Sequence, residues 1–345
     1  MKEKIISAIF LITVTFSTAG NKALVYFNHA QFNAEVPKQK KASIIFDSDM
    51  GPDYDDVGAI TLLHAFADSG KINILATIAS TNYEGVAGVL SVLNTYFNRP
   101  DLPIAVPKGK AVSLRDSQHW SDTLLQEYAH KIKRNDEVPD AIDLYRKLLS
   151  AQPDNSVTIV TVGFFTNLAG LLKSAPDKYS PLNGKALVNK KVKGLVSMAG
   201  GFPSGKEFNV HIDASAASYV FANWETPVLF SGFEIGKQIK TGIPLINNNQ
   251  IHASPVKDVF RISTAKAAED NNGRMSWDQT AVLIAVNGFE PYYKIKKGNI
   301  KVNEDGSNEW LDKGDKQAYL IEQTPPKEVE DLINKLMMHQ PVIKK

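Results

Sequence analysis

Ile44-Ile45-Phe46-Asp47-Ser48-Asp49-Met50-Gly51-Pro52-Asp53-Tyr54-Asp55-Asp56 is the stretch on which the reading of this chain turns. An apolar run stops abruptly in five aspartates within ten positions, with Gly51 and Pro52 among them. The run reads as a buried parallel strand and the Gly-Pro region as a tight loop. From Val57 to Ala67 the apolar spacing becomes helical, so the acids sit where a strand hands over to a helix. In open α/β sheets that carboxyl edge is where ligands bind. Carboxylates so crowded resist ionising together unless a cation lies among them. An all-oxygen donor set suits a hard ion, Ca²⁺ or Mg²⁺. The spacing is not that of an EF-hand: counting from Asp47, the sixth position is Pro52 and the twelfth Gly58, where Gly and Glu are required.

Beyond this stretch the chain alternates. Lys71 to Ala79, Pro103 to Val106, Val157 to Val162, Val192 to Met198 and Val228 to Ser231 read as strands. Val86 to Phe97, Leu168 to Ser174, Ala214 to Asn223, Val259 to Asp270 and Asp278 to Val286 read as helices. The pattern predicts an α/β fold, an open and mostly parallel sheet with helices on both faces. Lys108 to Leu149 is more polar and reads as two helices inserted over a sheet edge. Tyr292 to Leu320 reads as a β-hairpin or meander, and Pro325 to Met338 as a closing helix.

The 345 residues are 43% hydrophobic, carry a formal net charge of +2 and include no cysteine. Disulfides, thiolate metal sites and a Cys nucleophile are thereby excluded, and no basic stripe marks a nucleic-acid partner. Met1-Lys2-Glu3-Lys4 precedes the apolar run Ile5 to Phe16 and then Ser17-Thr18-Ala19-Gly20. That order predicts a signal peptide over 1–19 and export to the periplasm or medium. The apolar run falls short of the ~20 residues a spanning helix needs, so stable membrane insertion is not expected. A polar tether follows over 20–42, and no linker divides 43–345, which reads as one domain.

Polar residues recur at the strand ends: Asn82 after the second strand, Thr166-Asn167 after Val162, Glu207-Phe208-Asn209 beyond Met198-Ala199-Gly200-Gly201, and Asp278 at the start of a helix. Each alone has an ordinary explanation, since Asn forms turns and Asp caps helices. Together with Asp47-Ser48-Asp49 and Asp55-Asp56, in this order, they resemble the inosine–uridine preferring nucleoside hydrolases from about Ser43 to Val286. The family opens Asp-x-Asp-Pro-Gly-x-Asp-Asp; in this chain the loop is two residues longer.

The resemblance implies hydrolysis of the N-glycosidic bond of ribonucleosides, in purine or pyrimidine salvage, with a small-molecule nucleoside as partner and homo-oligomerisation left open. It implies Ca²⁺ held by Asp49, Asp56, Asp278 and the Val162 carbonyl, with Asp49 also acting as general base. Asp55, Asn82, Glu207 and Asn209 would hold the ribose, and Asp47 would support the loop. A further sugar-binding Asn of the family has no counterpart in the shorter loop Phe202–Lys206, where Ser204 is the one possible substitute. Many relatives place a leaving-group His just before the last Asp. Trp277 stands there instead, able to stack on a base but not to act as an acid near neutral pH. An exported nucleoside- or sugar-binding protein without catalysis is therefore an alternative. A haloacid-dehalogenase-type phosphatase is another, but Met50-Gly51-Pro52 lacks its Gly-Thr pair. His211, between Val210 and Ile212, reads as an edge or core residue, and Gln118-His119-Trp120 as a stretch that overhangs the pocket.

Overall fold

The computed structural model describes residues 41–342. The expected signal peptide over 1–19 and the tether up to residue 40 lie outside the described residues. Strand β1 (Ala42–Ser48) is followed by α1 (Asp55–Asp68), β2 (Ile72–Ala79), α2 (Val86–Tyr96) and the short β3 (Ile104–Ala105). Then come α3 (Trp120–Glu127), α4 (Ala141–Ala151), β4 (Val157–Thr161), α5 (Thr166–Lys173), α6 (Gly184–Lys191) and β5 (Val192–Met198). After the two-residue β6 (Ser204–Gly205) the chain forms α7 (Phe208–Ile212), α8 (Ala214–Asn223), β7 (Val228–Ser231) and α9 (Phe233–Gly236). Strand β8 (Lys240–Thr241), α10 (Ile243–Ile246), α11 (Pro255–Thr264) and β9 (Arg274–Met275) lead to α12 (Trp277–Asn287). Strands β10 (Tyr293–Val302), β11 (Asn308–Leu311) and β12 (Gln317–Glu322) and helix α13 (Pro326–Met337) complete the fold.

The main sheet has ten strands in the order β3-β2-β1-β4-β5-β7-β12-β10-β11-β6. From β3 to β12 every pairing is parallel; β10, β11 and β6 continue it antiparallel. Of the expected hairpin or meander, the hairpin forms, as β10 with β11; β12 lies on the other side of β10 and ties the pair into the parallel sheet beside β7. Ile44, Ile45 and Phe46 are all fully buried, as an unbroken apolar run in a strand covered on both faces should be. Ile44 and Phe46 pack into the core beneath α1, α2, α12 and α13. Ile45 packs into the opposite core, beneath α4, α5, α6 and α8. Each such side chain contributes about 1.5–3 kcal/mol on burial.

β1 lies between β2 and β4, and the chain winds outward from it in opposite directions on its two sides. This is the switch point of a doubly wound sheet, which opens a crevice at the carboxyl ends of the strands. The three strands end level there: Ser80 donates its N–H to the Ser48 carbonyl and Val162 to the Asp47 carbonyl, both at 2.8 Å.

Of the elements that differ from the sequence expectation, two do so for clear local reasons. The helix expected over Val259 to Asp270 instead begins at Pro255, where the Ser254 hydroxyl accepts from the Lys257 N–H at 3.3 Å. It ends at Thr264, and Ala268–Asp270 is a separate 3₁₀ turn. Helix α6 was not anticipated. It starts on Gly184, a weak helix former, where a Cβ would collide with the Leu171 carbonyl. Among the described residues no helix is long and apolar enough to cross a membrane.

Candidate active site and cation-binding cluster

The acidic loop is shaped by its own side chains. The Ser48 hydroxyl donates to Asp56 Oδ1 at 2.5 Å, and the Met50 N–H reaches Ser48 Oγ at 3.1 Å and Asp56 Oδ1 at 3.2 Å. The Tyr83 hydroxyl donates to the Met50 carbonyl at 2.9 Å. Asp55 and Asp56 form the first turn of α1, where the helix dipole favours negative charge. Across the crevice, Gly163 lets the end of β4 approach closely, since a Cβ there would strike the Asp49 backbone and the Ser80 hydroxyl. Helix α12 lies against α1, with the Gln279 side chain filling the space a Cβ on Gly58 would need.

Asp278 is not the cap of its own helix. The cap comes from α1: Asp55 Oδ2 accepts the N–H groups of Trp277 at 3.1 Å and Asp278 at 3.2 Å. The Asp278 carboxylate instead faces the acidic loop. Oxygens of Asp55, Asp56 and Asp278 lie within 4.8 Å of one another, and all three residues are buried. Asp49, 3% exposed, lines the same cavity.

Burial holds the Asp49, Asp55 and Asp278 carboxyls well above their usual range, and neighbouring carboxylates push in the same direction. Burial also raises Asp56, against the hydrogen bonds from Ser48 and Met50. Asp56 Oδ2 is buried with no hydrogen-bond partner among the described residues. An unmatched carboxylate oxygen inside a buried cluster of oxygen donors fits a hard divalent cation. Of the three clustered acids Asp55 is the most committed, because its oxygens already serve two amides and Arg274.

Behind this cluster, on the other face of β1, Asp47 accepts from the Tyr145 hydroxyl at 2.7 Å and Asn167 Nδ2 at 3.0 Å. Burial pushes its carboxyl up to about 7, and these hydrogen bonds hold it from rising further. Asn167 also donates to the Ala79 carbonyl at 2.8 Å, so one side chain joins β1, β2 and α5 behind the site.

The cavity measures about 240 Å³ and is lined by Asp49, Asp53, Asp55, Asp56, Val162, Met198, Glu207, Phe208, Asn209, Phe233, Arg274, Trp277 and Asp278. Glu207 caps α7, accepting from Asn209 N–H at 2.7 Å and from Val210 and Gly200 N–H at 3.1 Å each. Asn209 Nδ2 donates to the Val162 carbonyl at 3.1 Å, which leaves that oxygen a second lone pair. Trp277 is half-buried; its indole N–H donates to the Phe233 carbonyl at 2.8 Å, and its ring stacks on Phe233 at 5.3 Å and 24°. Phe208 is 46% exposed at the mouth.

Asn82 is not brought to the cavity. Its backbone N–H bonds the Val112 carbonyl and its side-chain amide turns toward the Gly109 carbonyl. Ser204 belongs to β6, paired with β11, and is not part of the lining. His211 is exposed on α7 rather than in a strand, and Trp120 is fully buried at the start of α3 rather than over the pocket.

Sequence reasoning missed Arg274, Phe208 and Phe233 as site residues. Arg274 is nearly buried, paired with Asp53 and, at 3.4 Å, with Asp55. Its guanidinium lies 5.0 Å from the centres of both the Tyr54 and Trp277 rings. Burial pulls it down to about 10, and the charge of Asp278 opposes that fall.

Residues 44–327 match the family model described as inosine-uridine preferring nucleoside hydrolase. A pyrimidine-specific ribonucleoside hydrolase RihA of Salmonella enteritidis PT4 is 30% identical over 229 residues, 62% of this chain and 64% of that protein. The chain thus matches a little under two thirds of the length of this curated relative. Among solved structures, a plant nucleoside hydrolase, PpNRh1, superposes with a TM-score of 0.65 at 20% identity, over 86% of this chain and 99% of that one. An inosine-uridine preferring nucleoside hydrolase from Bacillus anthracis gives 0.65 at 14% identity, over 86% and 99%. The effector XopQ, solved with adenosine diphosphate ribose, gives 0.66 at 15% identity, over 87% and 94%. At these identities the structures speak for the fold.

Proposed function

The chain belongs to the inosine–uridine preferring nucleoside hydrolase family, and on that premise we propose that it is a Ca²⁺-dependent hydrolase of ribonucleosides, releasing ribose and free base. The observation that carries this reading is the floor of the cavity, where buried Asp55, Asp56 and Asp278 converge and Asp56 Oδ2 lacks a partner among the described residues. Asp49, Asp56, Asp278 and the Val162 carbonyl are the residues assigned to the ion. When bound there, Ca²⁺ supplies positive charge that lowers the pKa of water and offers sites for sugar hydroxyls.

The side chains do the rest. Asp49, on the cavity wall, takes the proton of the attacking water as general base. Glu207, Asn209 and Asp55 hold ribose hydroxyls. Glu207 is pre-set by three backbone N–H groups, so its rotamer does not have to be fixed on binding. The carboxylates around the ring suit a transition state that turns positive at the sugar. Phe208, Phe233 and Trp277 form the apolar wall for the base. Trp277 brings no acid, and its N–H is already held by the Phe233 carbonyl.

That last contact also favours a second reading, an exported nucleoside- or sugar-binding protein of this fold without catalysis. Turnover of inosine, uridine and p-nitrophenyl riboside with and without a chelator separates the two. The hydrolase reading expects chelator-sensitive turnover that Asp49→Asn abolishes. Without the leaving-group His, p-nitrophenyl riboside should surpass inosine by a factor on the order of 10²–10⁴, the usual worth of general acid help. No turnover of any of the three overturns it in favour of the binding protein. Export is proposed with it, the mature chain starting near Gly20 or Asn21. N-terminal sequencing from the native host tests that, and an intact Met1 in a cytoplasmic fraction refutes it.

A further inference from the structure

Cleavage of an N-glycosidic bond leaves the electron pair of that bond on the base, and a cavity whose polar side chains are mostly carboxylates is a poor place for it. Among the described residues lining this cavity, five are Asp and one is Glu; none is His, Lys or Tyr, and one, Arg274, is cationic. Trp277 cannot substitute, since its one N–H already serves the Phe233 carbonyl. We propose that Arg274 is the leaving-group residue of this site, donating a hydrogen bond to the nucleobase as the C1′–N bond breaks. The proposal rests on the hydrolase reading above and adds to it the group that receives the departing charge.

Three observations support the assignment. The guanidinium is held in a fixed place, with Tyr54 and Trp277 ring centres both 5.0 Å from it, so little freedom is lost when it makes a new contact. Its hydrogen-bonding edges are unequally used: Nη2 is paired with Asp53 and Asp55 and Nε with Asp55. Among the described residues Nη1 faces only Asp270 Oδ2, at 3.5 Å, and that oxygen already accepts from the Tyr54 hydroxyl at 2.6 Å. An amino group with two N–H bonds and one distant partner has a donor to spare. The guanidinium also lies beside Trp277, whose ring and that of Phe233 form the aromatic wall of the cavity.

In the reaction the C1′–N bond breaks with its pair going to the base nitrogen, and the water oxygen bonds to C1′. The water proton passes to Asp49, and the base anion, held by Arg274, later takes a proton from solvent. Arg274 keeps its own proton throughout, as an arginine should. Bases that carry an in-plane acceptor benefit from this donor, whereas p-nitrophenolate departs stably without it.

The test compares kcat/KM for inosine, uridine and p-nitrophenyl riboside in the parent, Arg274→Met and Arg274→Lys. Removal of one well-placed donor to a developing anion typically costs about 10²–10³ in rate. Arg274→Met is therefore expected to lose on that order against inosine and uridine, and at least thirtyfold less against p-nitrophenyl riboside. Arg274→Lys, which keeps the charge but not the planar fork, should lie between the two, and it keeps the comparison available if Arg274→Met folds poorly. Thermal midpoints with and without Ca²⁺ report on folding and on the acidic cluster. Equal loss on all three substrates would overturn the assignment and leave Arg274 as a clamp for the Asp53–Asp55 loop. Absence of turnover in the parent would overturn the hydrolase reading and this assignment with it.

Discussion

Replacing Asp278 with Asn should move the protein's stability in opposite directions depending on whether Ca²⁺ is present. Its carboxylate lies within 4.8 Å of both Asp55 and Asp56. Two unit charges at that separation repel by about 3.5 kcal/mol at an effective dielectric constant near 20. Two such pairs would approach ~7 kcal/mol if every group were ionised. Burial and the neighbouring carboxylates raise the carboxyls of Asp278, Asp55 and Asp49, which lowers the number ionised together and so the repulsion. A net gain of about 1–3 kcal/mol in chelator is the reasonable expectation, and a domain of this size shifts by about 2 °C per kcal/mol, so Tm should rise by about 2–6 °C. With Ca²⁺ at 100 times its Kd the parent gains about 2.7 kcal/mol. A hundredfold weaker Kd would leave the variant about 0.4 kcal/mol. Thermal melts in chelator and in Ca²⁺, with a calorimetric Ca²⁺ titration, measure both. A variant that melts lower in chelator, yet keeps the full Ca²⁺ shift, would refute the shared-ion account of Asp278.

Two other outcomes follow from the same structure. His64 is fully buried, with Nε2 3.1 Å from Asn94 Oδ1, and burial, then the Arg99 charge, lowers it to about 3. The unfolded chain takes up that proton below about pH 6.5, so stability present above that pH drains away as pH falls toward the folded value, about 2 kcal/mol of it by pH 5. Urea midpoints at pH 7 and 5 should therefore differ less in His64→Gln than in the parent, and an unchanged difference would show that His64 is not the source. Phe233→Ala removes the ring stacked on Trp277 and part of the base wall. Stacking on a base is worth about 1–3 kcal/mol, so KM for inosine should rise at least fivefold, and an unchanged KM would place the base elsewhere.

The fold was legible because parallel strands buried on both faces leave an unmistakable mark: Ile44, Ile45 and Phe46 have no polar neighbour to alternate with. Asp49, Asp56, Asp278, Glu207, Asn209 and Val162, the residues picked out by the family resemblance, do line one cavity. Asn82, picked out by the same resemblance, is not among them, because the loop at Gly109–Val112 offers it nearer partners. Arg274 gave no signal. Its role depends on pairing with Asp53 and Asp55, over two hundred positions away in the chain, and no local pattern encodes that distance. The use of Asp55 as the cap of α12 was equally hidden. A capping carboxylate is normally sought just before its own helix, and this one comes from the first turn of another.

The pairing of β6 with β11 has a consequence for how this protein can change. The wall that carries Glu207 and Asn209 is laced to the C-terminal ribbon at Ser204 and Gly205. The Asn308 amide bridges the N–H and carbonyl of Gly201 at 2.9 and 2.8 Å. The ribbon's turn abuts α7, with His211 Nδ1 3.2 Å from the Asp305 carbonyl and no room for a side chain at Gly306 beside His211. None of these ribbon residues lines the cavity, yet the ribbon acts as its gauge. A residue inserted or lost between Asn303 and Ser307 would slide the ladder and carry Glu207 with it. Apart from Gly306 and Asn308, the ribbon's side chains should therefore be free to drift without disturbing this wall, whereas its length should not, and indels there should be as damaging as substitutions in the pocket.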